Sequence, residues 1–99
     1  MILRLHEDAL LEFEEALAWY RERSESAVER FREKLSDALD RIQQTPQHFP
    51  IYLLKTRRLL LSPFPYSVIF LIEADRIFVV ALAHAKRRPG YWKARLKSH

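Results

Sequence analysis

The hydrophobic period of the chain changes once, in the loop between Thr45 and Pro50. Before this loop, apolar residues recur every three or four positions, which predicts amphipathic helices. After it, they form short runs that are typical of strands, and the connections between these runs are three or four residues long. Connections this short require antiparallel neighbours. The change of period therefore predicts an α+β fold in which helices precede a strand meander.

Two helices are predicted before the loop. The first begins at Glu7 and Asp8, whose charges complement the positive end of the helix dipole, and ends near Arg23. The second is predicted to begin at Ser26, because Ser26 and Glu29 match a capping box. Its predicted end is at Thr45 and Pro46. A short link between the helices predicts an antiparallel hairpin. The apolar faces are Leu10, Phe13, Leu17 and Tyr20 in the first helix, and Val28, Phe31, Leu35, Ala38, Leu39 and Ile42 in the second.

Four strands are predicted around these helices. The first is residues 2–5, and the other three are residues 53–61, 66–72 and 76–83. The resulting order is β-α-α-β-β-β, with the helical hairpin packed on one face of an antiparallel sheet. At 99 residues the chain is long enough for one modest core, so we expect residues 1–99 to form a single domain.

Charge is divided unevenly along the chain. Residues 1–45 carry 7 Lys/Arg and 11 Asp/Glu, whereas residues 46–99 carry 10 and 2. The net charge of +4 therefore arises from a basic second half joined to an acidic first half. A basic region of this kind indicates a polyanionic partner or an acidic protein partner, and the charge alone does not choose between them.

Several classes of protein are disfavoured by composition. The chain has no cysteine, which excludes disulfides and thiolate metal sites. Its four histidines, His6, His48, His84 and His99, lack the spacing of metal ligands, and its single glycine leaves no glycine-rich phosphate loop. We therefore expect no metal and no cofactor. We also expect a soluble, cytoplasmic protein, because no apolar run is long enough for a bilayer and no signal-peptide pattern is present.

The candidate site follows the last predicted strand. His84, Lys86, Arg87 and Arg88 come directly after it, and Tyr91 and Trp92 follow a Pro-Gly turn. Such cations and aromatics suit a surface that grips phosphate, stacks on a base or seats a peptide. The predicted strand 53–61 adds cations, and alternation would place Lys55 and Arg57 on one face and Arg58 on the other. The predicted target-binding residues are Lys55, Arg57, Arg58, Arg87, Arg88, Tyr91 and Trp92. Alternatively, the strand cations are solvated charges on an edge strand, His84 is a structural residue and the aromatics dock on the core.

Several motifs together resemble the RelE/ParE superfamily of bacterial toxins, including ParE-like plasmid stabilisation proteins. The motifs are Ala16-x-x-Trp19-Tyr20, Arg30-Phe31, Pro46, Arg57-Arg58, Phe64-Pro65-Tyr66-x-x-x-Phe70 and His84-x-x-Arg87-x-Pro89-x-Tyr91-Trp92. The resemblance covers almost the whole chain and implies the β-α-α-β-β-β fold. It also implies a type II toxin that a cognate protein antitoxin holds inactive in a hetero-oligomer.

The resemblance leaves two targets, because the superfamily contains inhibitors of DNA gyrase and ribosome-dependent nucleases that cleave messenger RNA. RelE-like nucleases place an arginine after the tyrosine of the central strand, where this chain has Ser67 after Tyr66. A metal-independent nuclease also needs a base and an acid. The nearest candidates are His84, Lys86, Arg87 and Tyr91, an incomplete set. A ParE-like growth inhibitor of gyrase is therefore favoured. A ribosome-dependent endoribonuclease is the alternative, and a non-toxic basic nucleic-acid-binding or interaction module is a third hypothesis.

Overall fold

A computed structural model describes residues 1–97, so residues 98 and 99, including His99, lie outside the described part of the chain. The elements are β1 (Ile2–Leu5), α1 (Glu7–Arg23), α2 (Glu25–Gln44), β2 (Arg57–Leu60), β3 (Tyr66–Ile72) and β4 (Arg76–His84). Short 3₁₀ turns occupy Pro46–His48, Leu53–Lys55 and Lys93–Leu96. The predicted β-α-α-β-β-β order is confirmed.

The two helices meet at Ser24. The Ser24 side chain accepts a hydrogen bond from the backbone N–H of Ala27, 3.0 Å away, and therefore caps α2. The prediction that α2 begins at Ser26 with a Ser26–Glu29 capping box was wrong, because Ser24 is the cap and Ser26 lies inside the helix. The His6 side chain caps α1 by accepting from the Asp8 N–H. Among residues 1–97, no helix is both long and apolar enough to cross a membrane.

The sheet has the strand order β1-β4-β3-β2 and is mixed. Strands β2, β3 and β4 form the predicted antiparallel meander. The first strand, in contrast, pairs with β4 in the parallel direction, with Ile2 opposite Arg76 and Leu5 opposite Val79. The expectation of a wholly antiparallel sheet therefore fails at this edge. Short connections enforce antiparallel pairing only within the meander, whereas β1 is connected through two helices.

The core on the helical side of the sheet is built from the predicted apolar faces. Phe31, Leu35 and Ile42 of α2 are buried there with Phe70 of β3. Leu10, which was predicted to lie on the buried face of α1, is half exposed instead, and Ala9 and Ala16 occupy the buried positions. These small residues let α1 approach β4 closely, which leaves the larger Leu10 on the flank of the helix.

The other face of the sheet is covered by the end of the chain. Trp92 is buried in a second cluster with Ile69, Phe78 and Ala81, and Tyr52 and Leu96 pack around it. The residues after β4 therefore fold back across the sheet rather than extending into solvent. This return places the cations that follow β4 at the margin of the covered face.

Candidate target-binding groove

A groove of about 210 Å³ opens where β3 and β4 meet the returning C-terminal segment. Its lining combines cations, aromatic rings and small residues. The lining residues are Tyr52, Arg58, Leu60, Ser67, Ile69, Ala83, His84, Ala85, Arg87, Arg88, Pro89, Tyr91 and Trp92. The structure thus brings together six of the predicted site residues, namely Arg58, His84, Arg87, Arg88, Tyr91 and Trp92.

The three cations near β2 do not act together. Arg58 lines the groove, with its guanidinium carbon 4.1 Å from the centre of the Tyr52 ring. Arg57 points away and donates hydrogen bonds to the carbonyls of Gln47 and Phe49, at 3.2 and 2.7 Å. Lys55 lies in the 3₁₀ turn Leu53–Lys55 before β2. The prediction that Lys55 and Arg57 share a strand face is therefore wrong, because the strand begins only at Arg57.

Arg87 and Arg88 are exposed at the rim of the groove. The guanidinium carbon of Arg87 lies 3.8 Å from the centre of the Tyr91 ring. This cation–π contact holds the guanidinium against a half-buried aromatic ring. Lys86, in the same turn, is exposed but does not line the groove. Two of the three consecutive cations thus reach the groove.

His84 ends β4 with one ring nitrogen occupied. Its Nδ1 accepts a hydrogen bond from the backbone N–H of Lys86 at 3.0 Å. The neutral ring therefore carries its proton on Nε2, the tautomer that this contact selects. In this arrangement His84 can donate a hydrogen bond to a ligand, but it has no unprotonated nitrogen available to act as a general base.

Tyr91 is likewise engaged. Its hydroxyl donates a 2.6 Å hydrogen bond to the carboxylate of Glu12. Burial, followed by this bond and the negative charge of Glu12, raises the pKa of Tyr91 well above its usual value near 10. The hydroxyl therefore stays protonated at neutral pH and is already committed as a donor. The ring of Tyr91 therefore remains available to a ligand in the groove.

Trp92, which was predicted to contact the target, lines the groove but is almost completely buried. Its side chain is only 1% exposed, within the second apolar cluster. An aromatic residue that follows a Pro-Gly turn can dock on the core instead of facing solvent, and Trp92 does so. It anchors the returning segment beneath the groove.

The sequence interpretation missed Glu12 and Arg95. Glu12 accepts two hydrogen bonds from Arg95, at 2.9 and 3.0 Å, in addition to the one from Tyr91. Hydrogen bonding to Glu12 and its negative charge raise the pKa of Arg95 despite the opposing effect of burial. The spacing in α1 could have indicated Glu12. It lies three residues after Ala9 and four before Ala16, and therefore on the same face of the helix as these two buried alanines.

Glu12 and Arg95 also form hydrogen bonds with backbone groups at the edge of β4. Strand β1 pairs with β4 only as far as Val79. Beyond that point, the N–H of Leu82 donates to Glu12 at 3.0 Å, and the carbonyl of Val80 accepts from Arg95 at 3.0 Å. Side chains thus satisfy backbone groups that a longer β1 would have paired. They also bind the C-terminal segment to α1.

A second cleft of about 200 Å³ lies on the other side of His84 and Arg87. It is bounded by α1 and by the ends of β3 and β4, and Glu15, Trp19 and Tyr66 contribute to its wall. His84 and Arg87 therefore form a ridge between the two depressions. No cluster of three or more His, Cys, Asp or Glu side chains suited to a metal ion is found within residues 1–97.

Comparison with known proteins agrees with this fold. A search of curated proteins finds no match. Among solved structures, a chain of the chromosomal ParDE TA system from P. aeruginosa superposes with a TM-score of 0.69 at 18% identity, covering 87% of this chain and 97% of that one. This likeness supports the fold. The family described as "ParE toxin of type II toxin-antitoxin system, parDE" matches residues 3–89, most of the sequence. The chain therefore belongs to the ParE family of type II toxins.

Proposed function

We propose that this toxin inhibits DNA gyrase by binding it through the groove, in the cytoplasm, and that a cognate antitoxin prevents this binding. An antitoxin is the partner that the family implies. The proposal treats the groove as a recognition surface and not as a catalytic centre. Its cations would contact acidic or phosphate groups, and the ring of Tyr91 would support Arg87.

The observation that carries the proposal is the engagement of both acid–base candidates. Cleavage of RNA without a metal requires a group that removes the 2′-hydroxyl proton and another that protonates the leaving oxygen. The Nδ1 of His84 accepts the Lys86 N–H, and the hydroxyl of Tyr91 is bound to Glu12. Lys86 lies outside the groove. The groove therefore supplies cations for binding and no free base for catalysis.

The alternative is a metal-independent endoribonuclease that acts on ribosome-bound messenger RNA. The position of His84 beside Arg87 favours it, because the Nε2–H could donate a hydrogen bond to the phosphate next to a cation that stabilises the phosphorane. This alternative requires a base and an acid from elsewhere, or a rearrangement of His84 and Tyr91. A non-toxic binding module would instead leave growth unaffected when the chain is expressed.

The test is a supercoiling assay with purified gyrase, run beside a messenger-cleavage assay on programmed ribosomes. We expect the wild-type toxin to reduce supercoiling or to accumulate cleaved DNA, and to leave messenger intact. Arg87→Ala should weaken the gyrase effect at least tenfold. Arg21→Ala, which removes an exposed cation from α1, should not and is the matched control.

Two outcomes would reject the proposal. Ribosome-dependent cleavage that Arg87→Ala abolishes, with gyrase unaffected, would assign the nuclease activity. Inactivity in both assays together with normal growth on expression would instead favour the binding module. The same assays also test the prediction that residues 1–99 form one toxin domain. Activity of a preparation that contains only these residues would support it.

A further inference from the structure

The cleft on the far side of the ridge formed by His84 and Arg87 has no part in the proposed function. Its apolar floor includes Ala16 and Leu82, each of which is 2% exposed. With about 200 Å³ it is too small for a drug-sized ligand. A cavity of about 150 Å³ nevertheless holds a benzene-sized ring, so this cleft has room for one flat ring with substituents at its opening. We call it the α1 cleft, and the side chains that could contact a ligand are Glu15, Trp19, Tyr66, His84 and Arg87.

Two aromatic side chains form walls of the α1 cleft. Trp19 is 48% exposed, although the guanidinium carbon of Arg23 lies 3.6 Å from the centre of its ring. Tyr66 is half-buried and meets the ring of His84 edge-on, with 5.0 Å between the ring centres. Exposed aromatic rings of this kind provide surfaces on which a nucleic-acid base can stack. The walls therefore favour a flat aromatic ligand.

Glu15 supplies the α1 cleft with an unengaged carboxylate. Glu12 also lines the cleft, but the donors described above already bind its carboxylate. Within residues 1–97, by contrast, no hydrogen bond or ion pair engages the carboxylate of Glu15. An ionised carboxylate only accepts hydrogen bonds. A ligand that fits beside Glu15 must therefore present N–H or O–H donors to it.

The ridge and Tyr66 supply donors to the same cleft. With its Nδ1 occupied, His84 has the Nε2–H left to donate. Arg87 is exposed and adds a guanidinium. Burial, followed by the neighbouring Tyr20 and Glu15, raises the pKa of Tyr66, so its hydroxyl stays protonated at neutral pH. These donors suit an anionic group such as phosphate. The cleft thus combines a place for donors, a place for an anion and aromatic walls.

We propose that the α1 cleft binds a guanine nucleotide, with the base against the aromatic walls, its Watson–Crick edge on Glu15 and its phosphate on His84 and Arg87. Guanine is the base that matches a carboxylate best, because its N1–H and N2–H are adjacent donors that two carboxylate oxygens accept together. Uracil presents one donor between two acceptors, which a carboxylate repels. The proposal concerns binding alone, and it does not depend on gyrase as the target.

The test is titration calorimetry of the chain with guanosine monophosphate, uridine monophosphate and inorganic phosphate. We expect guanosine monophosphate to bind about tenfold more tightly than uridine monophosphate, because a two-bond contact to a base edge discriminates to this degree. Tryptophan emission provides a second measurement. Since Trp92 is only 1% exposed, a change in emission on binding should come from Trp19, and Trp19→Phe should remove it.

Two variants separate the base contact from the phosphate contact. In Glu15→Gln one acceptor oxygen becomes a donor, so the preference for guanosine over uridine monophosphate should fall to about twofold or less. Glu14→Gln is the matched control, because Glu14 is an exposed carboxylate of the same helix outside the cleft, and it should keep the preference. Arg87→Ala should weaken both nucleotides and leave their ratio unchanged.

Three results would overturn the proposal: equal affinities for the two nucleotides, equal affinities for guanosine monophosphate and inorganic phosphate, or a preference that survives Glu15→Gln. A short single-stranded oligonucleotide with one guanine identifies the source of the base. Tighter binding of the strand would assign the cleft to an unpaired guanine, and weaker binding would assign it to the free nucleotide; both results support guanine recognition. The titrations contain no gyrase, so failure of the toxin to inhibit gyrase would reject only the gyrase proposal.

Discussion

The hydroxyl of Tyr91 donates a 2.6 Å hydrogen bond to the carboxylate of Glu12, 79 residues earlier in the chain. Arg95 binds the same carboxylate, so one side chain of α1 holds two residues of the C-terminal segment. Because Arg87 stacks on the ring of Tyr91, the position of a groove cation depends on this contact. Helix α1 therefore determines the shape of a surface to which it contributes no cation.

Replacing Glu12 with glutamine should destabilise the toxin. The change removes the negative charge that faces Arg95, and hydrogen bonds to charged groups contribute about 1.5–3 kcal/mol each. We expect the free energy of unfolding in urea to fall by roughly 2–3 kcal/mol. Trypsin should also cleave faster at Lys93, because the segment that carries Lys93 loses its attachment. Glu14→Gln, at an exposed position of the same helix, is the control and should do neither.

The effect of pH on the Glu12 contact can be tested with Tyr91→Phe. The pKa of Tyr91 is raised in the folded protein, mainly by burial and then by the bond to Glu12. A group with a raised folded pKa contributes stability below its unfolded pKa and loses it as the pH rises further. Wild-type stability should therefore decline above about pH 10, where an unfolded tyrosine ionises. In Tyr91→Phe this decline should be smaller, and an identical decline would contradict the assignment.

A spectroscopic titration gives an independent check on the tyrosines. Burial raises the pKa of Tyr20 and Tyr66 as well. The absorbance of tyrosinate should therefore rise in the folded toxin at a higher pH than in the toxin unfolded in guanidinium. Tyr91→Phe should remove the part of the change that occurs at the highest pH. Coincident curves for the folded and unfolded toxin would contradict these shifts.

The sequence predicted the fold well because its local signals agree. The α2 stripe that includes Phe31, Leu35 and Ile42 is buried as its spacing indicated. The short connections also predicted the meander, because links of three or four residues join antiparallel neighbours. The direction of β1 could not be obtained in this way, because a strand followed by two helices can join the sheet in either direction. The start of β2 was also missed, since an apolar run that contains Leu53 and Leu54 has the composition of a strand.

The candidate site was predicted less completely. Arg58, Arg87 and Arg88 line a common groove, as the sequence interpretation suggested, although β3 separates the strand that carries Arg58 from the strand that Arg87 and Arg88 follow. The burial of Trp92 was not predicted, since sequence shows an aromatic residue but not whether the chain turns back over the sheet. Glu12 was missed because its partners are 70 or more residues away, beyond the range of any local pattern.

The helical side of the core can be tested with Phe31→Ala and Leu35→Ala. Both side chains are buried between α2 and the sheet, and Phe31 is also stacked on Tyr20. Each change should lower the free energy of unfolding by roughly 2–5 kcal/mol through lost burial and the cavity that remains. Leu10→Ala, at a half-exposed position, is the control, with an expected cost below about 1 kcal/mol. A loss below about 1 kcal/mol at Phe31 would contradict this packing.

Arg57 and Arg58 are neighbours in the sequence, and the structure predicts opposite outcomes for their replacement. Arg57→Ala removes donors from the carbonyls of Gln47 and Phe49, so it should lower stability by about 1–3 kcal/mol. Arg58→Ala removes a groove cation and should leave the free energy of unfolding within about 0.5 kcal/mol of wild type.

The two variants should also differ in growth inhibition. In Arg58→Ala, growth inhibition should fall because a contact with the target is lost, while the level of folded protein stays normal. In Arg57→Ala it should fall only as far as the amount of folded toxin does. Urea unfolding and quantified expression of both variants, measured beside growth, separate the two effects. Equal loss of stability in both would contradict the division of these arginines between loop and groove.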